Sequence, residues 1–275
     1  MARHRTQTCR RSIALPGSLL SEIIVTRGGN FVYILIKQGQ IRPGNSRRGG
    51  WSMDHIATGG GDARRPGLIS RLVAAIYDRG IARRERQVFG EDRRRLLRGA
   101  RGRVLDVGAG TGANLPHYSR EQVSELVLLD PSLGMLDRAR RKATELGLAA
   151  RILEQGAERL PFSDESFDTI VFTLSLCTIP DPAAALREAH RVLRPSGQLL
   201  VLEHVRAHEA SLAAWQDRLT PLWKLFSAGC HPNRNTRAAI EAARFSFESV
   251  EESRDRRIPV ALMQPKLIGV ARRAE

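Results

Sequence analysis

From residue 101 onward the apolar positions fall into short, nearly unbroken runs that alternate with stretches of helical periodicity. The runs at 104–107, 126–129, 151–153, 169–172 and 198–205 lack the in–out alternation of a half-solvated strand, so they read as strands buried on both faces. Between them, 131–146 and 182–193 read as helices, the second stopped by the turn signal Arg194-Pro195-Ser196-Gly197. Leu212, Trp215, Leu219, Leu222 and Phe226 then form a stripe on a long helix, with a kink expected at Pro221. Residues 245–250 and 267–271 complete seven strands. This alternation predicts an α/β fold: a doubly wound, mainly parallel seven-stranded sheet with helices on both faces and an antiparallel edge.

Upstream, Leu68, Leu72, Val73 and Ile76 recur at helical spacing and lead to Tyr77. A second helix over 82–97 sets Val88, Phe89, Leu96 and Leu97 against a run of arginines. The pair is expected to cover a pocket at the sheet; a basic surface resting on membrane phosphates is the second reading of the same face. The expected organisation is a basic leader over 1–52, an N-terminal helical cover over 53–100 and the main domain over 101–275.

The turn after the first strand carries the chemistry: Asp106-Val107-Gly108-Ala109-Gly110-Thr111-Gly112. Glycines at every second position permit φ > 0 and a close approach of backbone to a ligand. The spacing is not the G-x-G-x-x-G that seats a pyrophosphate on a helix N-terminus. A carboxylate two residues before the first glycine would repel a pyrophosphate, but it suits an ammonium or ribose hydroxyls. Asp130 ends the next strand 22 residues after Gly108, about the interval at which a strand-end acid accepts both ribose hydroxyls of an adenosine. The same residue is placed to cap the helix beginning at Pro131.

Charge changes this picture little. Of 44 basic residues only four are lysine, a skew that reflects a GC-rich genome and discounts the pI near 11.1. Residues 1–105 hold 22 basic and 7 acidic residues, and 106–275 hold 22 of each, so the whole +15 excess precedes the glycine turn. Residues 1–52 carry nine basic residues against Glu22 alone, with one apolar piece at 31–36. They are expected to be disordered, or untranslated if synthesis starts at Met53, where Gly49 and Gly50 are compatible with a ribosome-binding sequence just upstream. No apolar run approaches the roughly 18 residues of a membrane span. Cys9, Cys177 and Cys230 show no C-x-x-C spacing, which fits a reducing cytoplasm and argues against a disulfide scaffold or a zinc ribbon. The expected location is cytoplasmic, with peripheral membrane contact as the alternative.

Several runs resemble a known family. Asp130-Pro131-Ser132-Leu133-Gly134-Met135, Gln155-Gly156-Ala157-Glu158-Arg159-Leu160-Pro161-Phe162, Ser166-Phe167-Asp168 and Arg191 to Gly197 resemble the type 11 class I S-adenosylmethionine methyltransferases, which include the ubiquinone/menaquinone C-methyltransferases. Leu174-Ser175-Leu176-Cys177, Glu203-His204-Val205, Trp215-Gln216, Pro221, Trp223 and Gly229-Cys230 are similar to the alkyl-thiol S-methyltransferases of animals. Together these cover about residues 67–274. The resemblance implies S-adenosylmethionine as cofactor, with Asp106, Gly108 and Gly110 lining its methionine side. It implies Asp130 on the ribose and Met135 on the adenine, with Ala109, Gly112, Pro131, Ala157 and Glu158 completing the site. One position departs: the family carries Asp or Asn before Ala-Glu to accept from the adenine amino group, and Gly156 stands there. Glu158 or a backbone carbonyl is left for that contact.

Methyl transfer from a sulfonium is an in-line displacement, which asks mainly for alignment and exclusion of water. A thiol acceptor ionises near pH 8.5 and needs little help from a base. His204, after Glu203 at the end of the fifth strand, reads equally as a proton acceptor or as a structural histidine. Tyr77 is a candidate to close over the methyl group, and Cys177 and Cys230 read as small apolar fillers. The stripe with Trp215, Trp223 and Phe226 suits a lipophilic thiol, a quinone or a phospholipid head group, and plain core packing explains it equally well. Nucleic acid is not an expected partner: Leu174-Ser175-Leu176-Cys177 stands where amino-methylating DNA enzymes carry an Asn/Asp-Pro-Pro-aromatic run. A non-catalytic regulator that binds the cofactor is a further reading, and no obligate protein partner is evident.

Overall fold

A computed structural model describes residues 8–12, 22–28, 31–37, 83–227 and 229–274. Its contacts divide the chain into two units, Met1–Ala63 and Arg64–Glu275. In the first, β1 (Thr8–Ser12), β2 (Glu22–Gly28) and β3 (Phe31–Lys37) form an antiparallel sheet in that order. The leader is the segment expected to be disordered or untranslated; β3 coincides with its apolar piece at 31–36, and β1 and β2 lie outside that piece. The β-branched run Ile23-Ile24-Val25-Thr26 favours the pleated conformation, and the register Ile23↔Ile36 and Val25↔Ile34 matches it to the apolar piece.

The described residues of the second unit begin with α1 (Arg83–Leu97), followed by β4 (Gly102–Val107), β5 (Val123–Asp130), α2 (Leu133–Glu145), β6 (Arg151–Glu154), β7 (Phe167–Thr173), α3 (Pro182–Val192), β8 (Leu193–His204), α4 (Ala210–Phe226), α5 (Thr236–Ala242), β9 (Phe245–Arg254) and β10 (Pro265–Arg273), and the helix expected over 68–76 lies outside them. The seven strands run in the order β6-β5-β4-β7-β8-β10-β9. All neighbours are parallel except β8–β10 and β10–β9. The chain moves from β4 to β5 on one side and returns to β7 on the other, which makes the tips of β4 and β7 the switch point where doubly wound sheets open a crevice.

Two details differ from the sequence reading. The antiparallel strand is β10, one place in from the edge, because Leu267, Ile268 and Ala271 are buried and need a neighbour on each side. The outer place goes to β9, most of whose residues are half-buried or exposed. The expected turn at 194–197 lies within β8 as a bulge, the register passing from Phe167↔Leu193 to Thr169↔Gln198.

The sheet is covered on both faces. Leu105, Val107, Leu129, Ile170, Phe172 and Val201 pack with Leu186 and Ala189 of α3 on one side. Val104, Leu128, Val171, Leu200 and Leu202 pack with Val88, Phe89 and Leu97 of α1 and with Ala139 and Ala143 of α2 on the other. At the margin of this second layer the buried Lys266 ammonium lies 2.5 Å from Asp92 of α1 and 3.2 Å from Asp255. A charge-assisted contact therefore fixes the cover helix to β10.

Helix α4 forms as expected, with Pro221 inside it, but the apolar stripe does not seat it. Trp215 and Leu222 are 55% and 57% exposed. The buried face carries Ala213, Gln216 and Thr220 instead. Gln216 is saturated by main-chain groups: Nε2 donates to the carbonyls of Val205, Pro232 and Leu262, and Oε1 accepts from Ala207 N–H at 2.8 Å. A fully paired buried amide defines one orientation of the helix, where an apolar stripe alone would tolerate several. Among the described residues no helix is long and apolar enough to cross a membrane.

Candidate functional site

Asp106 stands on the face of β4 covered by α1, at the base of the glycine turn. It is fully buried. Asn114 Nδ2 donates to both its oxygens at 3.0 Å, and the Tyr118 hydroxyl donates at 2.9 Å. Burial pushes its carboxyl up from the ordinary 3.8 to about 6, against the opposing effect of those donors and of Arg93. The turn folds back and delivers Asn114 and Tyr118 onto Asp106, the residue expected on the methionine side of the cofactor.

The other end of that network belongs to the cover helix. Arg93, 3% exposed, reaches from α1 and donates to Asn114 Oδ1 at 2.6 Å and to Thr173 Oγ1 at 2.8 Å. Asn114 Nδ2 also donates to Thr173 Oγ1 at 2.9 Å, so the tips of β4 and β7 and helix α1 share one buried polar cluster. Asn114 lay within the glycine stretch, but no local signal separates Arg93 from its neighbours Arg94 and Arg95. Those two are more than half exposed and pair with Glu91 and Glu251.

Within the turn, Gly108, Gly110 and Gly112 have φ of +73°, +54° and +77°. A Cβ on Gly108 would lie 2.5 Å from Ser175 Cβ, and one on Gly112 would lie 2.5 Å from Leu115 Cδ1. Around Gly110 no atom comes nearer than 4.0 Å to that position. Two glycines are thus demanded by packing, while the middle one opens on space. Ala109 is buried in the core, its N–H bonded to Leu129 O at 3.0 Å, so its side chain does not face the opening.

Asp130 closes the turn from β5. Its Oδ2 accepts from Gly110 N–H at 3.0 Å and its Oδ1 from Ser132 N–H at 2.8 Å. Burial raises its pKa, and the two amides act against that rise. An ionised carboxylate has about four acceptor positions, so two remain. After Asp130, Pro131 is exposed and Met135 is half-buried on the first turn of α2. Ala157 is buried in the core. Glu158 folds back so that its Oε2 lies 2.8 Å from where a Cβ of Gly156 would be, and its carboxylate fills the space left by the missing side chain.

Glu203 and His204 end β8, and as successive strand residues they point to opposite faces. Glu203 is fully buried; its Oε1 accepts from the N–H groups of Ser175 and Leu176 at 2.8 Å each, and its Oε2 from Cys177 N–H at 3.1 Å. Burial raises its pKa against the effect of those three amides. His204 is 7% exposed on the α1 face, its ring edge-on to Phe89 with centroids 5.4 Å apart. The Cys177 thiol is held well above its ordinary pKa by the Cys230 thiol and by burial, which makes it a poor nucleophile. Tyr77 lies outside the described residues.

A family described as a methyltransferase domain matches residues 105–201. The thiol S-methyltransferase TMT1B of Rattus norvegicus is 33% identical over 192 residues, covering 68% of this chain and 77% of its own. A phosphatidylethanolamine N-methyltransferase of Cereibacter sphaeroides is 38% identical over 120 residues, covering 43% and 58%. The solved S-adenosylmethionine-dependent methyltransferase of Mesorhizobium loti shares the fold at a TM-score of 0.53 and 22% identity, covering 68% of this chain and 98% of that one.

Proposed function

We propose, for a chain that belongs to the type 11 class I methyltransferases, that the opening at Gly110 and Asp130 takes S-adenosylmethionine and that the acceptor is a small lipophilic thiol. One observation carries the cofactor reading: Asp130 keeps two acceptor positions beside a glycine whose α-carbon faces open space. Two vicinal ribose hydroxyls need that pair of acceptors. In this reading Met135 packs on the adenine and Glu158, lying over Gly156, accepts from its amino group. Pro131, Gly108 and Gly112 shape the walls.

S-adenosylmethionine supplies an electrophilic methyl group on a sulfonium. The chain's own residues align the acceptor and keep water out, which provides much of the rate in a displacement of this kind. His204, on the α1 face at the tip of β8, takes the proton of the thiol. The thiol reading is supported by the extent of the match, 192 residues for the thiol enzyme against 120 for the lipid enzyme.

The test is a panel of alkyl thiols, demethylquinones and phosphatidylethanolamine, read by mass spectrometry for methylated product and S-adenosylhomocysteine. Thioether formation is expected. Turnover of the quinone or the lipid alone would overturn the acceptor, and no turnover with any of them would leave a binding protein without catalysis. Asp130→Ala is expected to weaken S-adenosylhomocysteine binding more than tenfold by calorimetry; unchanged affinity would overturn the ribose assignment.

A further inference from the structure

Helix α4 leaves one polar group unanswered. Trp223 is half-buried, and its indole nitrogen lies on the buried side with no hydrogen-bond partner among the described residues. An indole N–H can only donate, and buried tryptophans ordinarily find an acceptor. The position is not a loose one. Ser227 donates to Trp223 O through its N–H at 3.1 Å and its hydroxyl at 2.9 Å. Further along the same turn, Gly229 N–H donates to Lys224 O at 2.9 Å and His231 N–H to Cys177 O at 2.7 Å. These bonds tie the end of α4 to the segment after β7.

The apolar surroundings put the indole in the layer that also holds the proton acceptor of the proposed reaction. Trp223 packs against the cluster that contains Phe89 of α1, Cys177 and Cys230, with Leu174 beside it. Phe89 is the residue whose ring meets His204. An unpaired donor and the histidine thus share the α1 face of the sheet. We propose that the Trp223 indole N–H donates to the sulfur of the methyl acceptor and holds it as a thiolate. This rests on the thiol reading above. In the step itself the S–H proton passes to His204 and the sulfur bonds the methyl carbon. The electron pair of that carbon's former bond leaves with S-adenosylhomocysteine. Negative charge on sulfur in an apolar layer is stabilised by a donor already in place, which needs no reorganisation. The donor also selects. A thiolate sulfur attacks through one lone pair and keeps others for the indole, whereas an amine spends the lone pair it has on the methyl.

The experiment compares the thiol with its neutral product on the whole chain. Trp223→Phe keeps an aromatic ring in the layer and removes the N–H. Wild type and variant receive S-adenosylmethionine and butanethiol, and S-adenosylhomocysteine formation is followed; inhibition by butyl methyl thioether is measured in parallel. The variant is expected to lose about tenfold in kcat/KM for the thiol, less than an oxyanion-hole donor is worth because sulfur accepts more weakly. Inhibition by the thioether and calorimetric affinity for S-adenosylhomocysteine should stay as in the wild type. Unchanged kcat/KM would overturn the role of Trp223, and so would an equal loss in thioether inhibition, which marks a repacked pocket. A wild type that leaves butanethiol unmethylated would overturn the thiol reading itself.

Discussion

Arg93 Nη1 lies 2.6 Å from Asn114 Oδ1, so a guanidinium from the cover helix is buried against the end of the glycine turn. The contact makes α1 part of the site. Replacing Arg93 by Met takes a charged donor from Asn114 Oδ1 and Thr173 Oγ1 and removes a cation that favours ionised Asp106. The expected cost is about 3 kcal/mol, typical of breaking a buried polar pair by deleting one partner. Urea unfolding measures it, and a loss below about 1 kcal/mol would show that the cluster contributes little.

Asp106 gives the stability a defined pH dependence. Its folded pKa of about 6 lies above the ordinary 3.8, so between those values the folded protein binds more protons than the unfolded chain. Its contribution is most favourable below about pH 4 and is lost as pH rises toward 6, at no more than about 1.4 kcal/mol per pH unit. Asp106→Asn removes the titrating group. Subtracting the variant's unfolding free energy from that of the wild type across pH 4–7 should leave a downward slope; a flat difference would contradict the raised pKa.

Glu203→Gln keeps the shape of the side chain but offers one acceptor oxygen where three amides converge. At least one N–H of Ser175, Leu176 or Cys177 then faces a donor, at an expected cost of about 2 kcal/mol. Hydrogen exchange at these amides should accelerate more than at the amides of β5. Unchanged protection would mean that the segment is held without the carboxylate.

Two of the glycines should separate by mechanism. Gly108→Ala meets Ser175 at 2.5 Å on top of its positive φ, and more than 2 kcal/mol of stability should be lost. Gly110→Ala has the left-handed strain alone, about 1–2 kcal/mol. Its added methyl projects into the open space, and S-adenosylhomocysteine affinity should fall at least tenfold. Equal stability losses with unchanged affinity for Gly110→Ala would remove the case for a cradle there.

Much of this was legible in the chain before folding. Runs such as 126–129 and 170–172 announce buried parallel strands because no polar residue interrupts them. The interval from Gly108 to Asp130 places an acid at the tip of the neighbouring strand because the glycine turn, a short connection and one strand span it; the connection is the 3₁₀ helix Leu115–His117 and turns, where a full helix was expected after the glycines. The amphipathic pattern of Val88, Phe89, Leu96 and Leu97 likewise located α1. Only the tertiary structure decided that Asn114 and Tyr118 close on Asp106, that Arg93 rather than Arg94 is buried, that Gln216 rather than the Trp215 stripe seats α4, and that Glu203 holds the segment after β7. The physical reason is separation. Periodicity tells which face a residue occupies, whereas these polar pairings join groups up to 80 positions apart and form only when the strand tips and helices meet.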